Sequence, residues 1–201
     1  RQVIAVEMQA HGRTADIERE PTAEHFADDI AALLDHLGID RADVLGYSMG
    51  GYVAVHVATR HPEKVRKLVV ISSPFRSEGW LPEMLAGIDG ITAEMLTSTP
   101  LGDAYRAVAP NPDGFATMVE RIKGVDTASP GPTDAEIEAI TAPVLLLNGD
   151  ADGIRLEHAV EVFRLLGGGI FGDYAGVPPS RLAILPGATH VGLMMQTDAI
   201  A

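Results

Sequence analysis

Residues 46–51 read Gly-Tyr-Ser-Met-Gly-Gly (GYSMGG) and stand between the apolar runs ADVL and YVAVHVATRHP. The first run predicts a buried strand and the second a helix. A Gly-x-Ser-x-Gly stretch between a strand and a helix predicts a sharp turn that lifts Ser48 above the sheet. Gly46 and Gly50 are expected to leave room for its backbone, and Gly51 to allow close packing. The helix that begins at Met49 would aim its free N–H groups at a developing oxyanion. This stretch therefore predicts a nucleophilic serine.

The rest of the chain alternates between apolar strands and amphipathic helices. Phe26 and the leucines that follow it recur at helical spacing, with Thr22 placed to cap the start of that helix and Gly38 to end it. Buried runs rich in Val, Ile and Leu between helices indicate an α/β fold with a mostly parallel sheet and helices on both faces. Strands are predicted at 2–8, 42–48, 65–74, 142–150 and 181–187, and further helices at 49–61 and 157–166.

Residues 75–140 interrupt this alternation. They hold Trp80, several prolines and short helical pieces, and they end with a Thr133-to-Glu136 capping-box spacing that leads back into a strand. A long excursion between two strands of one sheet predicts an inserted helical cap at 75–140, over an α/β core made of 1–74 and 141–201. The alternative is ordinary helical packing without contact to a ligand.

Composition narrows the classes of partner. Fifteen basic against 28 acidic residues give a net charge of −13, which disfavours binding to nucleic acid or to an anionic membrane surface. No apolar run reaches the roughly 20 residues of a membrane span. The absence of cysteine fits a reducing compartment, so we expect a cytoplasmic protein without a thiolate metal site.

Two glycine-rich motifs have structural explanations. GGGIFG at 167–172 follows a helix and not a strand, which predicts a helix end and not a dinucleotide site. NGDADG at 148–153 follows a strand and lacks the glutamate that closes a calcium loop. His56 and His61 are expected to pack or to face solvent, and His11 to border the site at most. We predict no metal and no cofactor.

A serine needs a general base, and that base needs a partner that holds its tautomer. Asp150 and Asp152 follow one predicted strand, and His190 follows another. The order Ser, Asp, His is the one expected for α/β-hydrolases.

The chain resembles the serine esterases of the α/β-hydrolase fold-1 family in VIAVEMQAHGRT, GYSMGG, RHPEKVRKLVVISSP, PVLLLNGDAD and LPGATHVG. The resemblance implies that Ser48 attacks an ester carbonyl, His190 transfers the proton and Asp152 orients His190. Asp150 is the alternative candidate for the acid. The resemblance also implies that the Met49 N–H contributes to the oxyanion hole. A small or medium acyl substrate is expected near Tyr47, Phe75 and Trp80.

The resemblance leaves alternatives open. Such hydrolases normally begin with three further strands, one of which lies between the 2–8 and 42–48 strands, and a loop there completes the oxyanion hole; they usually end with a further helix. We expect this chain to be a fragment; the rival is a short variant that forms a homodimer. A C–C bond hydrolase or cofactor-free perhydrolase would use the same triad, and a protein without the full oxyanion hole would be non-catalytic.

Overall fold

The strands of the computed structural model, which describes residues 2–127 and 129–200, form a sheet in which every neighbouring pair is parallel. They lie side by side in chain order, as β1 (Ala42–Tyr47), β2 (Val65–Ile71), β3 (Val144–Ala151) and β4 (Arg181–Thr189). Because all four run in one direction, their carboxyl ends share one edge of the sheet. The predicted α/β class with a mostly parallel sheet is confirmed.

Helices cover the sheet and connect its strands. The predicted helices at 49–61 and 157–166 are present. In chain order the helices are α1 (Ala23–His36), α2 (Met49–Arg60), α3 (Pro82–Gly90), α4 (Ala93–Thr97), α5 (Pro100–Val108), α6 (Phe115–Ile122), α7 (Asp134–Glu138), α8 (Leu156–Leu165), α9 (Gly172–Ala175), α10 (His190–Leu193) and α11 (Thr197–Ile200).

The main core lies between β2, β3 and the helices α2 and α8. Every residue of α2 from Gly51 to Ala58 is buried, because this helix is enclosed between the sheet and α1. A helix that is apolar on all sides is stable only in such a position. The α2 helix, which begins directly after Ser48, is thus one of the most enclosed elements of the molecule.

Helix ends follow the local chemistry that the sequence predicts. The Thr22 hydroxyl accepts a hydrogen bond from the His25 N–H at 3.1 Å, which caps α1. Gly38 ends α1 and Gly167 ends α8, both with positive φ (66° and 83°). These predicted caps are confirmed, and the stretch at 167–172 is the end of a helix as expected.

The predicted strand at 2–8 is wrong. Residues 2–7, all within the described part of the chain, belong to no strand or helix. Within that part β1 pairs only with β2, so the apolar run has no neighbouring ladder, and Val3 remains 88% exposed. Hydrogen bonds hold the segment instead. The Glu7 carboxylate accepts from the Arg13 backbone N–H and guanidinium, and the Glu7 carbonyl accepts from the Thr14 hydroxyl.

Between β2 and β3 the chain forms the short helices α3 to α7. Part of this region builds a small second cluster around Phe115, Met118 and Val119. The boundaries of a cap at 75–140 stay a prediction. Among the described residues, no helix combines the length and the apolar character needed to cross a membrane.

Candidate active site

The turn after β1 holds Ser48 in a strained backbone conformation. Its φ is +54° and its ψ is −127°, a region that residues with a side chain rarely adopt. Its N–H donates to the Ile71 carbonyl at 3.0 Å, which ties the turn to β2. Ser48 is therefore fixed where β1 ends and α2 begins, as the motif predicts.

The glycines of the turn have different functions. A Cβ at Gly46 would lie 2.0 Å from the Gly50 carbonyl oxygen, and one at Gly51 would lie 2.5 Å from the Ser73 Cβ. A Cβ at Gly50 would meet nothing within 4 Å. The expectations that Gly46 makes room and that Gly51 allows close packing are confirmed, whereas the steric requirement assigned to Gly50 was wrong.

Three side chains from three strand ends form a continuous hydrogen-bonded chain. His190 Nε2 lies 3.0 Å from Ser48 Oγ, and His190 Nδ1 lies 2.8 Å from Asp152 Oδ1. With Nδ1 protonated and donating to Asp152, Nε2 is free to accept the serine proton. The structure thus brings together the three residues that the sequence predicts as a triad.

The sheet register explains why these side chains meet. Ala151 is paired with Thr189 in the ladder between β3 and β4, so Asp152 and His190 each directly follow a paired residue. In the same way Tyr47 is paired with Ile71, and Ser48 follows that pair. The relative positions of the nucleophile, the base and the acid are therefore set by main-chain ladders.

Asp152 is buried and ionised. Burial raises its pKa, but hydrogen bonds from His190 and Ser72 and the charge of His190 outweigh this and hold the pKa below its usual value. Asp150, the alternative candidate for the acid, is exposed and accepts from the Gly187 N–H at 2.7 Å. The geometry favours Asp152 over Asp150 as the partner of His190.

Tyr47 and Trp80 enclose His190. The Tyr47 hydroxyl donates to the His190 carbonyl at 2.9 Å, and the two ring centroids are 5.2 Å apart. The Trp80 ring meets the imidazole edge-on at 6.0 Å. Trp80 is bridged to Ile154 in the loop after the acid, which attaches the start of the 75–140 segment to the site.

The remaining predicted residues differ in position. Phe75 lies in the main core and is 1% exposed, and its N–H donates to His158 at 3.1 Å. The structure thus gives Phe75 a packing function and no contact with the triad among the described contacts. Met49 is the first residue of α2, so its N–H has no acceptor within the helix. The substrate and oxyanion functions stay predictions.

Three further buried polar residues are candidates for function that the sequence did not predict. Ser72 donates to Asp152, and His158 is buried with its pKa lowered to about 4, mainly by burial. Asp126 is buried after α6, and its Oδ1 has no hydrogen-bond partner in the described part of the chain. Only Ser72 had a signal, because it lies near the end of the strand predicted at 65–74, at the same edge of the sheet as Asp152 and His190.

The other histidines have structural surroundings. His56 is buried against Tyr52, and His61 bonds Asp28 at 2.7 Å. His11 packs edge-on against Phe26. Within residues 2–127 and 129–200 no group of three or more His, Asp or Glu side chains is placed to hold a metal ion.

Comparison with known proteins agrees with this architecture. Residues 1–119 match the family model described as "alpha/beta hydrolase fold". A meta-cleavage product hydrolase from Pseudomonas fluorescens IP01 superposes with a TM-score of 0.64 at 20% identity, over 96% of this chain and 74% of that one. The chain therefore belongs to the alpha/beta hydrolase fold family, which confirms the predicted resemblance.

Two curated relatives show how much of each chain is covered by the sequence similarity. The chain is 29% identical over 220 residues to a pimeloyl-[acyl-carrier protein] methyl ester esterase of Neisseria meningitidis serogroup A, covering 99% of this chain and 65% of that protein. It is 52% identical over 50 residues to a homoserine O-acetyltransferase of Thermus thermophilus, covering 25% of this chain and 13% of the relative. The chain thus spans less than two thirds of the length of either relative.

Proposed function

We propose that this protein is a serine hydrolase that cleaves carboxylic esters of small or medium acyl groups through an acyl-enzyme intermediate. The observation that carries this proposal is the hydrogen-bonded chain from Ser48 through His190 to the buried carboxylate of Asp152. The likeness to a methyl ester esterase supports the ester as the bond that is cleaved.

The proposed reaction has two halves, acylation of Ser48 and hydrolysis of the acyl-enzyme, and the triad acts in both. Ser48 Oγ attacks the ester carbonyl carbon while its proton passes to His190 Nε2, and Asp152 stabilises the imidazolium that forms. The N–H of Met49 donates to the oxyanion of the tetrahedral intermediate. The intermediate collapses, the alcohol leaves with the proton from His190, and water repeats the sequence on the acyl-enzyme. The side chains supply nucleophile, base and acid, so the proposed reaction requires no metal or organic cofactor.

The proposal extends to the setting of the reaction. We expect a small-molecule ester as the substrate, bound beside Tyr47 and Trp80. We place the protein in the cytoplasm, since a chain without cysteine requires no oxidising compartment. A homodimer stays a prediction that light scattering of the purified protein would test.

The decisive test combines turnover with labelling. Hydrolysis of p-nitrophenyl acetate and butyrate would be measured for the wild type, for Ser48→Ala and for Ser73→Ala, which removes a nearby buried hydroxyl outside the triad. We expect Ser48→Ala to lose turnover with little change in melting temperature, while Ser73→Ala keeps it. A fluorophosphonate should add its mass to the peptide that contains Ser48.

The same experiment distinguishes the rival functions. A folded wild-type sample that neither labels nor turns over any ester would show a non-catalytic protein. Labelling at Ser48 with turnover only on vinylogous diketones would indicate C–C bond hydrolysis instead. Unchanged ester turnover in Ser48→Ala would show that the nucleophile is a different residue.

A further inference from the structure

A fourth side chain completes the hydrogen bonding of the acid. Ser72 directly follows β2, its residue is fully buried, and its Oγ donates to Asp152 Oδ2 at 2.5 Å. Its N–H donates to the Leu147 carbonyl of β3 at 2.9 Å. Ser72 is therefore held in place by the main chain between β1, which Ser48 follows, and β3, which Asp152 follows.

The two oxygens of Asp152 are supported differently. Oδ1 accepts from His190 Nδ1 at 2.8 Å and from the Gly153 N–H at 2.6 Å. Oδ2 accepts from Ser72, and its other donor, the Gly149 N–H, is distant at 3.4 Å. Without the Ser72 hydroxyl, Oδ2 would keep only this weak bond, and the carboxylate could rotate away from the orientation that meets His190.

The backbone of Ser72 gives a second, independent reason to assign its side chain a function. Its φ is +50°, in the left-handed region that glycine adopts without strain and that a residue with a Cβ adopts at a cost. Ser72 and Ser48 both have a positive φ, and they follow the paired residues Ile71 and Tyr47 respectively. A glycine would suit the backbone of position 72 better, so a serine at this position favours a function for its hydroxyl.

We propose that Ser72 is a positioning residue of the triad, which fixes the carboxylate of Asp152 and thereby holds His190 in the tautomer whose Nε2 faces Ser48. This inference rests on the proposed function of the triad. Ser72 itself touches neither the reacting serine nor a substrate in this assignment. Its effect passes through Asp152.

The pH dependence of the Ser72 variants also depends on the charged and titratable groups around Asp152. His190 and Ser72 contact Asp152 directly, and the charge of Asp152 adds to burial in raising the pKa of Tyr47. The charge of His190 also acts on the buried Asp126. Among the side chains near Asp152, Ser72 and His190 are the donors to its oxygens in the described residues.

The experiment compares Ser72→Ala and Ser72→Gly with the wild type and with Ser73→Ala. Ser73 is buried next to Ser72, but among the described residues its hydroxyl meets only the Pro74 carbonyl, at 3.4 Å. We expect kcat/KM for p-nitrophenyl butyrate to fall about 10-fold or more in both Ser72 variants, through kcat and with KM nearly unchanged. Ser72→Gly should melt at a higher temperature than Ser72→Ala, because it relieves the backbone, and yet be equally slow.

Two readouts separate positioning from a merely structural effect. Loss of a donor to the carboxylate should move the acid limb of the kcat/KM profile to higher pH in the Ser72 variants and not in Ser73→Ala. The ¹⁵N NMR spectrum of His190 should show one tautomer, protonated at Nδ1, in the wild type and a mixture in Ser72→Ala. The NMR measurement does not require turnover.

The outcomes distinguish this inference from the proposed function. An active wild type with Ser72 variants of full activity, unchanged acid limb and unchanged tautomer would overturn the positioning of Asp152. Equal losses in Ser72→Ala and Ser73→Ala, in parallel with stability, would also overturn it. An inactive, unlabelled wild type would refute the hydrolase, and the tautomer of His190 would still decide whether Ser72 positions the acid.

Discussion

Replacing Asp126 by asparagine should stabilise the protein at alkaline pH and have a smaller effect at acidic pH. Burial raises the pKa of Asp126 from 3.8 to about 7, against a smaller lowering by the charge of His190. A folded-state pKa above the unfolded value means that the folded protein binds the proton more tightly. Folding is therefore increasingly disfavoured as the pH rises from about 4 to about 7.

The magnitude follows from the two pKa values. The full difference of about 3 units corresponds to about 4 kcal/mol at 25 °C, reached above pH 7. Between pH 5.5 and pH 8, a window above the isoelectric point near 4.8, this one group should remove about 2 kcal/mol of stability. Asparagine has the same shape and stays neutral, so Asp126→Asn should not show this loss.

The assay is urea denaturation of the wild type and of Asp126→Asn at pH 5.5, 6.5, 7.5 and 8. The difference between the two free energies of unfolding cancels the other titrating groups and should grow with pH by about 2 kcal/mol. Asp113→Asn, which makes the same change at an exposed position, is the matched control. A difference for Asp126→Asn that does not change with pH would refute the burial of a carboxyl whose Oδ1 has no hydrogen-bond partner among the described residues.

Further predictions concern the turn and two buried or capping contacts. Gly46→Ala places a Cβ 2.0 Å from the Gly50 carbonyl oxygen and should cost at least about 2 kcal/mol, whereas Gly50→Ala should be neutral or stabilising; thermal melting compares them. In the folded protein the pKa of His158 is lowered to about 4, so the residue is neutral at pH 7. Its contribution to stability is lost as the pH falls from 6.5 towards 4. In urea titrations, His158→Gln should make the free energy of unfolding depend less on pH in this range. Thr133→Ala removes the capping box with Glu136 and should cost about 1 kcal/mol in the same assay, a loss that Thr133→Ser should not show.

Much of the fold was predictable because its signals are local. The run before Gly46 is short, apolar and followed by a turn motif, which is the pattern of a strand that leads into a sharp turn. Thr22 and Gly167 act at the ends of their own helices. The approach of Ser48, Asp152 and His190 was predictable for a less local reason: each follows a strand, and parallel strands end at one edge.

What could not be predicted depends on neighbours in space. Residues 2–8 have the apolar, β-branched composition of a strand, but a strand exists only where another backbone pairs with it. Phe75 follows β2 just as a pocket residue would, and only the position of α8 and its His158 shows that it packs in the core. The motif predicts that Gly50 makes room for the turn, but the path of the chain after β2 past α2 leaves that position open and places Ser73 against Gly51.

The ends of the strands are bonded to one another, and this restricts where substitutions can be made without disturbing the triad. The N–H of Ser48 bonds the last carbonyl of β2, and the N–H of Ser72 bonds β3, so each strand end is attached to the next. The ladder pair of Ala151 with Thr189 then places Asp152 against His190. The geometry of proton transfer thus depends on the ladders of the sheet and on α2, which is buried from Gly51 to Ala58. Trp80, which precedes the short helices between β2 and β3, contacts His190, so we expect substitutions in this segment to change KM and substrate preference while the relay from Ser48 to Asp152 stays intact.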